Sequence, residues 1–228
     1  MTEEAEQHIS LASRVIAGLS KISLALKSQF WQEAGEQGLT PTQGQILAFL
    51  RSRIGACRLS ELANGLAVTQ ATASEAIDAL VRKGLVRKTR QAEDRRALAL
   101  TLTPAGEAEA DRAAAWPDFL LGVVDVLSPQ EQAVFLRGLI KMIRTLQERG
   151  QIPVAQMCVT CHFFQPYVYA DAERPHHCAF VNAPFGDRDL RLACPDHQAA
   201  PVEEALRLWE RFVAAGMPAD MHGERDAG

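Results

Sequence analysis

The sequence between Leu59 and Gly106 changes its hydrophobic period once, and that change limits the folds it can adopt. Beyond Gly84, residues 85–86 and 97–102 alternate or run together as strands do, on either side of a polar turn at residues 91–96. Before Gly84, apolar residues recur every three or four positions, as in helices with one buried face. These residues are Leu62, Ala63, Leu66, Ala73, Ile77, Leu80 and Val81. The pattern predicts two short helices followed by a two-stranded wing.

A basic patch coincides with this predicted wing. Residues 82–96 contain seven basic and two acidic side chains, a net charge of +5, in a chain whose formal charge is −4. Lys and Arg side chains that neutralise phosphates dominate affinity for nucleic acids. A solvated basic hairpin is the alternative, but the patch follows directly on a helix-turn-helix pattern, which favours DNA binding. The candidate DNA-binding residues of the patch are Arg82, Lys83, Arg87, Lys88, Arg90, Arg95 and Arg96.

The second helix of this region is predicted to begin after Thr69, a good N-cap residue. Its first turns carry Gln70, Thr72, Ser74 and Glu75. The side chains of the first three can hydrogen-bond to base edges in a major groove. The two arginines at the tip of the wing are placed to reach a flanking minor groove, whose negative potential attracts arginine. The helix and the wing are therefore expected to read adjacent grooves of double-stranded DNA.

The run from Gly65 to Gly106 resembles the winged helix-turn-helix core of MarR-type transcriptional regulators. With the flanking helices, the resemblance covers roughly residues 5–150. It implies a dimeric DNA-binding regulator, usually a repressor, in which a wing arginine enters the minor groove. The most diagnostic residues are Asp94, Arg95 and Arg96, followed by Leu100, Leu102, Thr103 and Gly106.

Helical patterns with apolar stripes flank this core. The first covers residues 3 to about 35, with Ile9 at the start of its stripe. Residues 40–43 and 128–131 each combine a hydroxyl N-cap, a proline and a capping-box Gln or Glu, so each predicts a helix start. Pro117 predicts a kink or break near Trp116, and Gly150 ends the last helix of this part.

The first, fifth and sixth predicted helices carry more apolar surface than one small lobe needs. A single-chain bundle is one explanation, and a homodimer is the other, which the family resemblance favours. Two winged helices related by a two-fold axis can read the two halves of a palindromic operator. Nothing in the sequence identifies a pocket for a small-molecule effector.

Four of the five cysteines lie between residues 157 and 198, a segment with no long helical or strand period. Such a segment is expected to need a metal centre to organise it. Its candidate ligands are Cys158, Cys161, Cys178 and Cys194. Four thiolates suit both a structural zinc ion and a [4Fe–4S] cluster. For zinc, a histidine could also replace a cysteine; the candidates are His162, His176, His177 and His197.

The cysteine pattern resembles the ligand arrangement of high-potential iron–sulfur proteins. The shared features are Cys-x2-Cys-His-Phe-Phe from Cys158, a single cysteine within residues 176–180, and Cys194 followed by Pro195. The likeness covers about forty residues and implies a [4Fe–4S] cluster rather than zinc. The electron-carrier role of those exported proteins does not transfer.

The sequence thus predicts a mainly α protein with a small β wing. A winged helix-turn-helix with a helical dimerisation region is expected over residues 1–150, with its DNA-reading core at 40–106. A loop-rich metal-binding segment follows over residues 151–200, and a helix and tail over 201–228. Neither a signal peptide nor an apolar run of membrane-spanning length is visible, so a cytoplasmic location with reduced cysteines is expected.

These observations predict a repressor that binds palindromic DNA as a dimer and whose cluster senses redox state or oxygen. One alternative is the same regulator with a structural zinc ion and an organic effector. Another is an iron–sulfur redox or accessory protein, although such a protein has no need of a basic wing. No nucleophile–base grouping and no phosphate loop is visible, so the chain is not expected to be an enzyme.

Overall fold

The computed structural model describes residues 9–53, 55–90, 98–153 and 155–214, and the chain divides into two compact units at Val123 and Val124. The first unit contains all the described helices that precede the break at Pro117. Their bounds are α1 (Leu11–Glu36), α2 (Pro41–Arg51), α3 (Leu59–Gly65), α4 (Gln70–Arg82) and α5 (Pro104–Ala114), followed by a 3-10 helix (Trp116–Leu120) and the short α6 (Leu121–Val124).

The predicted helix-turn-helix and wing are confirmed. Strand β1 (Cys57–Arg58) precedes α3, and β2 (Val86–Arg90) and β3 (Leu98–Leu102) follow α4; the three strands form one antiparallel sheet in the order β1-β3-β2. The wing register pairs Val86 with Leu102 and Arg90 with Leu98. The predicted polar turn at residues 91–96 lies outside the described residues.

The winged helix has one hydrophobic core, to which every surrounding element contributes. Fully buried side chains come from α2, α3, α4 and β3, and the Trp116 ring lies 5.7 Å from that of Phe30 on α1. The central members are Ile46, Leu47, Leu62, Ile77, Leu80 and Leu100. The apolar period that predicted the helices therefore marks their buried faces.

The first helix begins later than its apolar pattern predicts. Ser10 is the N-cap of α1 and accepts a hydrogen bond from the backbone N–H of Ser13, so Ile9 precedes the helix. The helix begins after Ser10 because the Ser10 side chain accepts a hydrogen bond from a backbone N–H that has no partner within the helix. Residues 3–8, which the prediction also included, lie outside the described residues.

The predicted helix starts and stops are otherwise confirmed. Thr40 and Gln43 form a reciprocal capping box at α2, and Ser128 and Glu131 form another at the helix that follows α6. Helix α5 ends at Ala114, shortly before Pro117, and the chain continues as a 3-10 helix. The helix ends were predictable because the capping residues and prolines that determine them can be read directly from the sequence.

Gly106, part of the family resemblance, joins the wing to α5. A Cβ atom there would overlap the backbone carbonyl of Leu85, so only glycine allows this close approach. Thr103 caps α5 by accepting from the N–H of Gly106, and its hydroxyl donates to the Gly84 carbonyl over 2.7 Å. The start of α5 is thus fixed against the turn between α4 and β2.

The second unit consists of α7 (Pro129–Glu148), the cysteine segment and α8 (Val202–Ala214). The segment contains an antiparallel sheet in the order β4-β5-β6, built from β4 (Phe164–Gln165), β5 (His176–Cys178) and β6 (Ala183–Phe185). Its core joins α7, the segment and α8, through Ile140, Met157, Val159, Phe164, Leu190 and Phe212. Apolar burial therefore organises the segment too, whereas the sequence pointed to a metal centre alone.

Helix α7 shares its core with the cysteine segment, although the sequence placed it with the DNA-reading core. The boundary between the units accordingly lies at Val123 and Val124, upstream of the predicted boundary at residues 150–151. Within the described ranges, no helix is long and apolar enough to cross a membrane.

Candidate nucleic-acid interface and cysteine cavity

Helix α4 presents one continuous exposed face. Ala73, Ile77 and Leu80 are fully buried and fix the helix on the core. The side chains opposite them are all exposed, at intervals of three and four residues; they are Ala71, Glu75, Asp78 and Arg82. This spacing places them on one side of the helix.

The predicted base-reading residues lie beside this face rather than at its centre. Gln70 and Thr72 are exposed and Ser74 is half-buried. The Thr72 hydroxyl lies 2.9 Å from that of Thr69, the residue that caps the helix. Contact of these three residues with bases stays a prediction. Ala71 and Glu75, by contrast, lie on the exposed face itself, as counting 100° per residue from the buried positions shows.

Among the described residues, two of the predicted DNA-binding basic residues, Lys83 and Lys88, make contacts within the protein. The Lys83 ammonium donates to the Gly38 carbonyl over 2.6 Å and to Gln43 Oε1 over 2.8 Å, which ties the end of α4 to the start of α2. Lys88 forms an ion pair with Asp78 of α4. The positive charge of these two side chains is therefore partly engaged before any DNA binds.

The remaining basic residues divide by position. Arg82 and Arg87 are exposed at the end of α4 and on β2. Arg90 is the last residue of β2. Arg95 and Arg96 lie outside the described residues, so their predicted entry into a minor groove stays a prediction.

Helix α1 exposes much of its apolar surface. Only its C-terminal part, including Ala34 and Phe30, joins the core of the first unit. Leu11 is 77% exposed and Trp31 59% exposed, although both are large apolar residues. The other exposed apolar residues of the helix are Val15, Ile16, Ile22 and Leu24. Large exposed apolar side chains in this number on one helix favour an interaction with another apolar surface.

The four predicted ligand cysteines line a single cavity of about 190 Å³. Cys158 and Cys161 flank a 3-10 turn, in which the Cys161 N–H donates to the Cys158 carbonyl over 2.9 Å. Cys178 ends β5 opposite Phe164, and the backbone of Cys194 is held by the Gln156 carbonyl at 2.9 Å. Residues separated by 36 positions in the sequence therefore face one space.

The walls of this cavity are largely aromatic. Four phenylalanine rings contribute, at positions 163, 164, 180 and 185. Arg191 brings donors to the sulfurs: its backbone N–H lies 3.3 Å from Cys158 Sγ, and its Nη1 lies 3.9 Å from Cys194 Sγ. Burial raises the pKa of the Cys158 thiol; the Arg191 N–H opposes this shift, and the three other cysteines add to it. A positive centre beside Cys158 would favour its thiolate.

The four histidines of the segment bond to other partners and do not line the cavity that the described residues form. Their partners are Glu204 for His162, Asp187 for His176, Tyr169 for His177 and Thr160 for His197, each within 3.0 Å. Throughout the described ranges, no group of three or more Cys, His, Asp or Glu side chains is arranged to hold a single metal ion. The arrangement thus gives no support to a zinc site with a histidine ligand.

Arg137 of α7 joins the cysteine segment to α8. Its guanidinium donates to Asp187 over 3.0 Å, to the Tyr167 hydroxyl, and to the Phe212 carbonyl over 2.7 Å. Asp187 in turn accepts from the fully buried His176 at 2.8 Å, two residues before Cys178. Burial raises the pKa of the Asp187 carboxyl, but the His176 hydrogen bond and the Arg137 charge outweigh it and hold that pKa below its ordinary range.

Arg144 repeats this connection seven residues later, on the same side of α7. It is buried, and its Nη1 donates to the Val159 carbonyl over 3.2 Å, between Cys158 and Cys161. Its guanidinium lies 4.7 Å from the ring centroid of Trp209 on α8. Neither Arg137 nor Arg144 was predicted as a functional residue. The sequence signal for both is a charged residue within the apolar stripe of α7, repeated after two helical turns.

Comparison with known proteins places the first unit in a family context. Residues 37–97 match the sequence model of the MarR family. A curated relative, the HTH-type transcriptional repressor MdtR of Bacillus subtilis (strain 168), is 29% identical over 97 residues, which is 42% of this chain. The match spans 62% of the length of that relative.

Solved structures agree with this match. The S. aureus MepR–DNA complex is 25% identical, with a TM-score of 0.52, over 56% of this chain and 95% of that one. A MarR protein from Peptoclostridium difficile is also 25% identical, with a TM-score of 0.55, over 62% of this chain and 92% of that one. These matches support a MarR-family winged-helix regulator; such regulators are DNA-binding proteins and not enzymes, as the sequence predicted.

Proposed function

We propose that this chain is a transcriptional repressor that binds palindromic double-stranded DNA as a homodimer and carries a [4Fe–4S] cluster on its four-cysteine segment. The observation that carries the DNA-binding part is the winged helix itself, with an exposed α4 face and a basic β2, within the range that matches the MarR family. The relatives point the same way, since one is named a transcriptional repressor and another was solved as a DNA complex.

Dimerisation is supported by the apolar surface of α1. Several large apolar side chains of this helix are exposed in the single chain, and burying them against a second copy would remove that surface from water. One winged helix reads only a half-site, so a two-fold dimer suits an operator with half-sites about one helical turn apart. We expect α1 to lie in the dimer interface.

A cluster is supported by the form of the cysteine cavity. In a mononuclear zinc site each sulfur lies about 2.3 Å from the metal, which forces the four sulfurs close together around one point. Here the four cysteines line one cavity of about 190 Å³, which is more space than a single ion fills. In a [4Fe–4S] cluster each cysteine binds its own iron, so the sulfurs stand farther apart.

The residues around the cavity fit such a cluster. Cys158, Cys161, Cys178 and Cys194 would hold it, while the aromatic wall limits the access of water. The two Arg191 donors lie at the sulfurs of Cys158 and Cys194. Hydrogen bonds to ligand sulfurs and exclusion of solvent are means by which a protein tunes a cluster's reduction potential. When bound, the cluster would supply a redox-active centre.

A sensing role is supported by the contact between the cysteine turn and α7. The Val159 carbonyl, which accepts from Arg144, lies between two of the four cysteines. Any rearrangement of that turn changes the contact, and α7 is among the helices that the sequence predicts for dimerisation. Cluster state and DNA affinity would then be coupled through the packing of α7.

The cofactor is tested by the absorption spectrum and metal content of protein purified without oxygen. We expect a brown protein with about four iron atoms and four sulfides per chain. Colourless protein with stoichiometric zinc would contradict the cluster and show that the four cysteines hold structural zinc. The effector would then be expected to be an organic ligand.

DNA binding is tested separately, by selecting operators from random duplexes and measuring affinity at several salt concentrations. We expect palindromic sites and a log–log salt slope whose magnitude falls by about 4 when Arg95 and Arg96 are both replaced by alanine, because the dimer then loses four arginines. Arg112→Ala on α5, where the arginine pairs with Glu109, is the matched control. An unchanged slope in the double variant would remove the wing from the interface. A brown protein without duplex binding would instead favour a redox or accessory role.

A further inference from the structure

We infer that Glu75 of α4 reads a base directly and selects cytosine in the bound DNA. This inference rests on the proposed DNA binding and adds a specificity determinant to it. It concerns the centre of the exposed face of α4, where the sequence analysis placed no base-reading residue.

Glu75 occupies the middle of the most exposed side of α4. Ala71 lies one turn before it and Arg82 about two turns after it, and all three are exposed. The buried residues Ala73 and Ile77 flank Glu75 in the sequence and fix the helix from the opposite side. If α4 enters a major groove, the Glu75 carboxylate is therefore directed toward the base edges, with the small Ala71 side chain beside it.

Asp78, the next acidic residue of α4, is already paired within the protein. Asp78 pairs with Lys88, and the hydrogen bond and charge of Lys88 hold the pKa of the Asp78 carboxyl below its ordinary range. Glu75 has neither a hydrogen bond nor an ion pair with any side chain in the described part of the chain. Its full negative charge is consequently presented on a surface proposed to meet a polyanion.

Such a carboxylate weakens DNA binding unless it accepts a hydrogen bond. Phosphates repel it, so it lowers affinity for every sequence that offers it no donor. The major groove offers two amino donors, cytosine N4 and adenine N6. In an A·T pair the adenine amino group has an acceptor on each side, N7 and the thymine O4, and both repel a carboxylate, whereas in a C·G pair the cytosine amino group has an acceptor, the guanine O6, on one side only.

The other two bases are disfavoured as well, because the amino donor then lies on the opposite strand. Guanine presents N7 and O6, and thymine presents O4; all are acceptors, which would face the negative charge of Glu75. Glu75 thus favours cytosine by attraction and disfavours the alternatives by repulsion, a combination that raises specificity more than affinity. In a palindromic operator the preferred cytosine occurs once in each half-site.

The test compares operator preferences of the wild type, Glu75→Gln and the control Glu107→Gln. Glu107 is exposed on α5, so its replacement removes the same charge from the same unit at a position away from α4. Operators are selected from random duplexes, and affinities are then measured for all four base pairs at each half-site position. Thermal unfolding of each variant verifies that the exposed substitutions leave the fold intact.

In the wild type we expect one half-site position at which replacing cytosine weakens binding by about 5- to 100-fold. Glu75→Gln should lose that preference and shift toward adenine, because a Gln amide pairs with N6 and N7. It should also bind random DNA more tightly, since a like charge is removed, while Glu107→Gln keeps the cytosine preference. The ratio of specific to random affinity is the readout that separates base reading from a general charge effect.

A wild-type operator without a cytosine-dependent position, or a Glu75→Gln variant with an unchanged preference, would overturn the inference and leave the proposed repressor in place. Wild-type protein that binds no duplex in a sequence-dependent way would overturn the proposed function itself. The two failures are therefore distinguishable in one set of titrations.

Discussion

Arg144 and Val159 are joined by a hydrogen bond of 3.2 Å from the arginine Nη1 to the backbone carbonyl, within the turn between Cys158 and Cys161. The same guanidinium stacks over Trp209 of α8 and bonds to Glu148 of its own helix. One buried side chain of α7 therefore contacts both the cysteine turn and the last helix. This relationship gives the proposed metal centre a physical route to α7.

Replacing Arg144 by methionine is expected to loosen the cysteine turn. The variant keeps much of the apolar volume but leaves the Val159 carbonyl without this donor, at a cost of about 2 kcal/mol in the free energy of unfolding. Urea unfolding followed by circular dichroism measures it. Arg149→Met at the exposed end of α7 is the control and should change the midpoint little. Equal midpoints for the two variants would show that the Arg144 contact contributes nothing.

Lys83 and Arg87 are both basic residues near the wing, but we expect Lys83 to contribute to stability and Arg87 to DNA binding. Lys83 ties α4 to Gly38 and Gln43, so Lys83→Met should lower the free energy of unfolding by about 1 kcal/mol. Arg87 is exposed on β2, so Arg87→Met should leave stability unchanged and reduce the salt dependence of DNA binding. Thermal unfolding and salt titration of both variants measure the difference. The reverse pattern would contradict these assignments.

Cys57 is expected to be unreactive in the folded protein. It is 1% exposed, and burial raises the pKa of its thiol to about 11. The folded thiol therefore stays protonated at pH 8, and the thiolate that reacts with iodoacetamide is scarce. Mass spectrometry after brief alkylation should find Cys57 unmodified until urea unfolds the chain. Rapid labelling of Cys57 in native protein would contradict its place in the core.

Asp187 should make the stability of the second unit depend on pH in acid. Its folded-state pKa lies below the ordinary value of 3.8, so its contribution is present above that pH and is lost as pH falls through the folded-state pKa. The stability difference between wild type and Asp187→Asn should then be largest near neutral pH and shrink below about pH 4. Urea unfolding across this range measures it, with Asp125→Asn on the exposed surface as control. A constant difference would exclude ionisation of Asp187 as its source.

The sequence was sufficient for the winged helix because its determinants are local. The change of period after Val81, the capping residues Thr40 and Ser128, and the break at Pro117 all act over a few residues, and the structure confirms each. The grouping of four cysteines likewise anticipated that they face one space.

What the sequence could not show depends on long-range packing. Strands of two or three residues, such as β4 and β5, carry no readable period, so the small sheet of the cysteine segment was missed. Arg137 and Arg144 read as solvent-exposed charges until α8 and the segment bury them. Lys83 likewise read as a DNA contact, because nothing in the sequence reveals its bonds to residues some forty positions away.

Cluster-dependent DNA binding is the central claim, and one paired titration tests it most directly. Operator affinity and cluster absorbance are measured together, without oxygen, for wild type, Cys194→Ala and Cys57→Ala. The account predicts that Cys194→Ala loses the absorbance and changes operator affinity, while Cys57→Ala matches wild type in both. Wild-type protein that binds its operator equally well with the cluster intact, oxidised and removed would contradict it.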